Sequence, residues 1–382
     1  MSSLTLYPSN WLYNAGVIGL LESSEHIEKF DVTSWLKEDG SVSLPLPFFS
    51  KLNSKERYFG QNKISSIVGK NSLYRNFLQS NQKEVFEAFV VALDSLQPDY
   101  CDTCSSGKCL DAATIKKLNE QDPAKKDDTK FTYRIRNFSI VHCSDLGPSL
   151  NKFPNAFWAL KQSARMCHLC GFLIIHHHLA LTRLSDGSEI FINAPSFQVM
   201  WYLNKFIREV FGSVSSEEMR SKRNILAMSV IEYATKIQTT LGVWTGMNIE
   251  VVSKHTFYNP ETNTQETKIE FFSLPYEVVQ LLADRRIASL LSQIGEFEIL
   301  NRVLDQDFSR LMETGYRLLR IGLKPYKDRA ESENKFVNQT LRLEKNRRNP
   351  ASVAEQIFKL CALIKEKQKR REEYDYIHFA RT

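Results

Sequence analysis

Two Cys-x-x-Cys pairs, Cys101-Asp102-Thr103-Cys104 and Cys167-His168-Leu169-Cys170, constrain this chain more than any other feature. Each pair can sit on a tight turn that aims two sulfurs at one ion. Two such turns complete a tetrahedral zinc shell and leave no position for a substrate water. Closed shells of this kind are structural; catalytic sites keep a position open. Compact zinc ribbons separate their pairs by roughly 15 to 20 residues, whereas positions 105 to 166 intervene here. The spacing therefore predicts a zinc finger split by an insertion, over about residues 98–172. Within the insertion, Lys116 to Asp128 is almost wholly polar and reads as a mobile surface excursion. Cys109 and the neighbours His142 and Cys143 are rival ligands, and the alternative to any metal is seven reduced, unligated cysteines.

Seven is an odd count, Cys361 stands alone in a helical tail, and no positively charged start leads into an apolar signal core. These features argue against secretion with disulfides and for a cytoplasmic protein. The best apolar run, Gly171 to Ile175, stops at His176-His177-His178, far short of the roughly 20 residues a bilayer requires. It reads as a buried strand or helix face. Three adjacent histidines do not share one face of a strand or helix, so the triplet reads as a partly exposed segment end rather than a metal site. The 382 residues, 42% hydrophobic and 11% aromatic, are enough for two or three domains with real cores.

An N-terminal apolar segment, Trp11 to Leu21, reads as a helix capped by Ser9 or Asn10, with Gly16 and Gly19 allowing close packing against a neighbour. Val32–Trp35 and Val42–Leu46 bracket Asp39-Gly40 and predict a short hairpin, its second strand an edge because of Pro45 and Pro47. Helices are expected over Lys83–Leu96, Phe197–Phe211 and Ser215–Leu241, and strands at Glu189–Asn193 and in a hairpin of Asn248–Tyr258 with Thr267–Phe272. From Pro275 onward the pattern is nearly all helix, with a charged elbow over Tyr326–Lys335. The fold class is α+β: a mixed domain over 1–273 carrying the inserted finger, then an all-α bundle over 274–382. No internal repeat is present.

The net charge of +6 is unevenly spread, because Arg320–Thr382 holds 16 Lys and Arg against 9 Asp and Glu, leaving a near-neutral 34 against 35 upstream. The tail helix over Ser352–Ile364, started by Asn349-Pro350, runs into Lys365-Glu366-Lys367-Gln368-Lys369-Arg370-Arg371. With Lys324, Lys327, Arg329, Arg342, Lys345, Arg347 and Arg348 it forms a basic surface that a phosphate backbone attracts through counterion release. Interleaved acids make an ordinary solvated face the competing reading.

The opening Asn10-Trp11-Leu12-Tyr13-Asn14-Ala15-Gly16-Val17-Ile18-Gly19 is followed in order by Tyr58-Phe59-Gly60, Ser65 and Tyr74, the first cysteine pair, and Phe157-Trp158 before Cys167-His168-Leu169-Cys170. This succession resembles the large subunit of type I CRISPR Cascade complexes, most closely the zinc-finger branch of type I-B. The resemblance covers the N-terminal two thirds and continues more loosely into the helical C-terminus. It implies a non-catalytic, DNA-sensing protein at the 5′ end of the CRISPR RNA, beside the backbone subunits. Such a subunit contacts the protospacer-adjacent motif, helps open the duplex and serves as a landing place for a helicase-nuclease. It also implies a structural zinc and a small-subunit-like C-terminal region, which related systems also make separately; Met247 and Met312 are possible internal starts here.

A motif reader needs amide and cationic side chains on a narrow loop, since Asn and Gln pair with adenine and Lys or Arg with guanine in the major groove. Gly60-Gln61-Asn62-Lys63 is the best such loop, and Gln61, Asn62 and Lys63 are the expected readers; the competing reading is a solvated turn before a helix. Asn71, Arg75 and Thr245-Gly246-Met247-Asn248 beside Trp244 are weaker candidates. A zinc deaminase signature is only superficial: His26-Ile27-Glu28 is far from Cys167, Met166 replaces the expected proline, and Cys101 and Cys104 would go unused. Asp145, Asp186 and Glu189 are a loose carboxylate set for a metal-dependent nuclease. A stand-alone zinc-stabilised RNA-binding protein is the remaining alternative.

Overall fold

The computed structural model describes residues 3–59, 78–79, 81–104, 107–139, 163–183, 187–211, 249–260, 263–273, 275–282, 284–341 and 349–379. The fold is α+β, with small antiparallel sheets and a helical C-terminal region. It divides into two compact units: Met1–Glu217 with Ile249–Phe271, and Glu218–Asn248 with Phe272–Thr382.

In the first unit, strand β1 (Ser3–Leu6) pairs antiparallel with β2 (Val42–Pro45), and the two-residue period buries Leu4, Leu6, Val42 and Leu44 together. Between them, α1 (Trp11–Ile27) starts at Asn10, whose Oδ1 accepts from Tyr13 N at 3.1 Å. This helix is buried on nearly all sides, as its apolar run requires. The expected hairpin is reduced to a single antiparallel bridge, Leu36 with Val42. Val32–Trp35 is a 3-10 turn in which Thr33 Oγ1 donates to Asp31 Oδ1 and Ser34 Oγ to Asp31 O, so local side-chain bonds win over a strand. The Asp39-Gly40 turn does form, with Gly40 at φ 84°, but it delivers β2 to β1.

The chain continues through a π-helical turn at Lys55–Phe59, helix α2 (Lys83–Ala92), the hairpin of β3 (Gln97–Pro98) and β4 (Lys108–Cys109), α3 (Ala112–Gln121) and α4 (Phe131–Arg134). The polar stretch after Lys116 is thus an ordered, anchored segment. Leu118 is buried, and the buried Asp122 carboxylate accepts from Gln82 Nε2 (2.9 Å) and Phe131 N (2.7 Å). Strand β5 (Asn137–Ser139) pairs with β6 (Ser163–Arg165), which leads into α5 (His168–Ile174). Phe48, Phe49, Tyr58, Phe86, Phe89, Phe131 and Phe172 form an aromatic core, with edge-to-face pairs such as Tyr58–Phe86 at 4.8 Å and Phe89–Phe131 at 5.0 Å.

A four-stranded sheet follows, in the order β10 (Thr264–Ser273), β9 (Glu250–Asn259), β8 (Glu189–Asn193), β7 (Thr182–Arg183). Helix α6 (Phe197–Phe211) is tied to β8 by Asn204, which accepts from Ile192 N and donates to Ile192 O, both at 2.8 Å. The expected Ser215–Leu241 helix lies outside the described residues.

The second unit contains α7 (Tyr276–Leu282), α8 (Arg285–Ile294), α9 (Phe297–Leu304), α10 (Phe308–Gly322), a 3-10 turn at Tyr326–Asp328, α11 (Glu331–Thr340) and α12 (Pro350–Phe379). Asp284 and Asp307 cap α8 and α10, and Gly295 closes α8 in the left-handed conformation at φ 70°. Leu311, Leu318 and Ile321 of α10 meet Val353, Ile357 and Leu360 of α12 in an aliphatic core. Among the described residues, no helix is long and apolar enough to cross a membrane.

Candidate metal centre

The insertion is closed over by its own hairpin. Asp99 N donates to Gly107 O at 3.1 Å, and a Cβ on Gly107 would lie 1.9 Å from Asp99 O, so only glycine permits this approach. The loop then presents Cys101 and Cys104. It is held against β6 by Asp102, whose N donates to Arg165 O (2.8 Å) and whose Oδ2 accepts from Arg165 N (2.7 Å). Arg136 donates to Asp99 Oδ2 at 2.8 Å. The Tyr100 N–H and this guanidinium keep the Asp99 carboxyl down at about 2.

From the other side, Cys167 caps α5, its Sγ accepting from Cys170 N at 3.4 Å. Helix α1 supplies the third support: Ser9 Oγ and Asn10 Nδ2 both donate to Thr103 O at 2.9 Å. Asn10 therefore caps its own helix with one side-chain atom and grips the cysteine loop with the other. Gly16 and Gly19 bring α1 onto α5 and its continuation, since a Cβ there would lie 2.5 Å from Leu173 O and 2.1 Å from His176 O.

These supports bring the sulfurs of Cys101, Cys104, Cys167 and Cys170 within 4.8 Å of one another. Cys101–Cys170 is 3.7 Å and Cys104–Cys167 is 3.9 Å. A regular tetrahedron with metal–sulfur bonds of about 2.3 Å has edges of about 3.8 Å; a disulfide bond would be about 2.05 Å. The sulfurs accept backbone N–H bonds, with Cys167 N and Thr103 N donating to Cys101 Sγ at 3.2 and 3.4 Å. Bonding to Cys104, Cys167 and Cys170 holds the Cys101 thiol well below its usual range, and, against the raising pull of Cys101, bonding to Cys167 and Cys170 lowers that of Cys104, whereas Cys101 and Cys104 push Cys167 and Cys170 well above theirs. Two thiolates are favoured here and four are not, unless a cation shares the site. The four cysteines can hold one metal ion.

Cys109 is buried outside this cluster, and His142 and Cys143 lie outside the described residues. His168 is within the motif yet not in the cluster; its Nδ1 accepts from Leu110 N at 3.3 Å, and burial lowers its pKa to about 3. The triplet that follows is partly exposed only at His178. His176 and His177 are buried, His176 Nε2 pairing with the Tyr58 hydroxyl at 3.1 Å, because α5 carries them into the aromatic core. Glu28, of the superficial deaminase signature, is engaged by the buried Arg57, and Glu189 pairs with Lys254. Asp145 and Asp186 lie outside the described residues.

Gln61, Asn62 and Lys63 also lie outside the described residues, as do Asn71, Arg75, Trp244 to Asn248, and the basic residues Arg342, Lys345, Arg347 and Arg348. Of the remaining tail cations, Lys324, Lys327 and Arg329 gather at the elbow after α10, and Lys367, Lys369 and Arg370 lie on α12. Lys324 pairs with Glu333 at 2.7 Å and Lys367 with Asp284 at 3.6 Å, while Lys327 is exposed. Sequence reasoning missed Asp99, Arg136 and Arg165, whose contacts span 37 and 66 residues and carry no local signal. Met312 lies within α10. No known protein family matches the chain, and no curated protein or solved structure matches it.

Proposed function

We propose that the chain is the non-catalytic large subunit of a CRISPR RNA-guided DNA surveillance complex of the Cascade type, with a structural zinc in the four-cysteine site. The observation that carries the reading is that landmarks from separate parts of the resemblance meet at one place. The Asn10 cap holds the loop of the first cysteine pair, and the glycines of that opening segment pack on the helix started by the second pair. Four thiolates at tetrahedral spacing suit zinc, which has no redox chemistry and accepts sulfur ligands, and the filled shell suits structure rather than catalysis.

In this reading Gln61, Asn62 and Lys63 contact the protospacer-adjacent motif, the basic helical unit follows nucleic-acid backbone, and the partners are CRISPR RNA, target duplex, backbone and small subunits, and a helicase-nuclease or transposition protein. Tagged protein purified from its native host would bring down repeat-flanked guide RNAs of uniform length, several copies of a backbone subunit and one zinc per chain. Diverse RNA or none, with a monomeric, well-behaved protein, would overturn this and favour a stand-alone zinc-stabilised RNA-binding protein.

A further inference from the structure

The exposed large apolar side chains of the second unit are concentrated in one place. Among the described residues they are Tyr316, Leu323 and Tyr326, at 62%, 74% and 75% exposure, the last two being the most exposed of their kind in either unit. They alternate with cations. From Tyr316 to Arg329 the sequence carries Arg317, Arg320, Lys324, Lys327 and Arg329 against the single acid Asp328. Tyr316 and Arg320 of α10 and its C-cap Leu323 are spaced i, i+4, i+7, which places them along one exposed face that runs into the Tyr326 turn.

The aromatic groups are braced from beneath. Tyr316 leans on Phe358 at 5.1 Å between centroids, the Arg317 guanidinium lies 3.8 Å from the Phe336 ring, and Arg329 lies 5.8 Å from that of Tyr326. Lys324 is neutralised by Glu333, but an ordinary solvated face has no reason to hold two rings outward among the surplus cations that remain. A polymer that offers π-faces and phosphates together satisfies both halves of the surface, and duplex does not, because its bases are already stacked.

We infer that the stripe Tyr316–Arg329 binds single-stranded nucleic acid, with Tyr316 and Tyr326 stacking on unpaired bases and Arg317, Arg320 and Lys327 contacting the backbone. The inference rests on the nucleic-acid reading of the helical unit above, but not on guide RNA or partner subunits. Fluorescence anisotropy of the full-length chain with labelled dT15, rU15 and a 15-base-pair duplex tests it, the two single strands deciding between DNA and RNA as the source.

The expected result is tighter binding of a single strand than of duplex, weakened at least tenfold by Tyr316→Ala with Tyr326→Ala and restored by Phe at both positions. Arg317→Gln with Arg320→Gln should lessen the salt dependence. Tight binding unaffected by the alanine pair, equal affinity for duplex, or no binding to any probe would overturn it. Because both tyrosines are exposed, unchanged thermal melting of the variants separates lost contacts from lost folding. Guide-RNA capture in the host can fail while this assay succeeds, and the reverse, so the two readings fall separately.

Discussion

Arg57 and Arg317 carry the same guanidinium into opposite surroundings. In the first unit Arg57 is fully buried and bonded to Glu28 and the hydroxyls of Ser23 and Ser24, joining segments about 30 residues apart. In the second, Arg317 lies exposed over Phe336 beside other cations with no acid between. Arg136 with Asp99, Arg208 with Glu22 and Asn204 with β8 repeat the first pattern. The first unit joins segments distant in sequence, so polar groups and sulfurs fix what short elements cannot. The second packs its helices on α12 through aliphatic side chains, and its ion pairs, such as Arg302 with Glu298 and Lys324 with Glu333, lie at its surface.

The strongest way to break that contrast is to empty the four-cysteine site, which on the reading proposed above holds zinc. Structural zinc contributes on the order of 10 kcal/mol to small domains, so a chelator, or Cys101→Ser with Cys104→Ser, should open the first unit and spare the second. Limited proteolysis read by mass spectrometry should show rapid cleavage around residues 97–139 and lasting protection of 285–341. Equal protection of both regions would contradict the division of labour.

Glycines sharpen it at smaller scale. In Gly19→Ala the new methyl meets a backbone oxygen, that of His176, which cannot turn away; a loss of about 3 kcal/mol is expected. In Gly315→Ala it meets the Phe358 ring at 2.9 Å, which can rotate, and the gain in helix propensity of about 1 kcal/mol offsets the cost. Urea unfolding of the two variants should differ accordingly; equal losses would mean the two interfaces are alike.

The smallest effect is one of pH. Burial pushes the Glu22 carboxyl up to about 7, against the lowering pull of Arg208. A carboxyl raised on folding favours the native state at low pH, and that contribution is lost as pH rises from its ordinary 4.5 through 7. Glu22→Gln should therefore flatten the decline in stability between pH 6 and pH 8 by about 1 kcal/mol in urea titrations. An unchanged slope would show that Arg208 fully compensates.

Much of this was legible in the sequence where a residue acts on near neighbours. The Asn10 cap, the glycines of α1, the Phe197–Phe211 helix, the hairpin of β9 and β10 and the pairing of the cysteines all have local signals of period or spacing. What was not legible depended on distant partners. Val42–Pro45 found Ser3–Leu6, a four-residue strand too short to show its alternation, and the polar insertion became ordered because Asp122 reaches Gln82. The burial of His176 and His177 was missed because the helix that leads into them begins at a cysteine.

The close fit of Gly16 against Leu173 and of Gly19 against His176 links residues 157 positions apart. Chains grow at about 5–20 residues per second, so α1 waits roughly 8 to 30 seconds on the ribosome before its partner emerges. A helix whose first eleven residues are nearly all apolar, made first and matched late, is the segment through which a chaperone would hold this protein during synthesis.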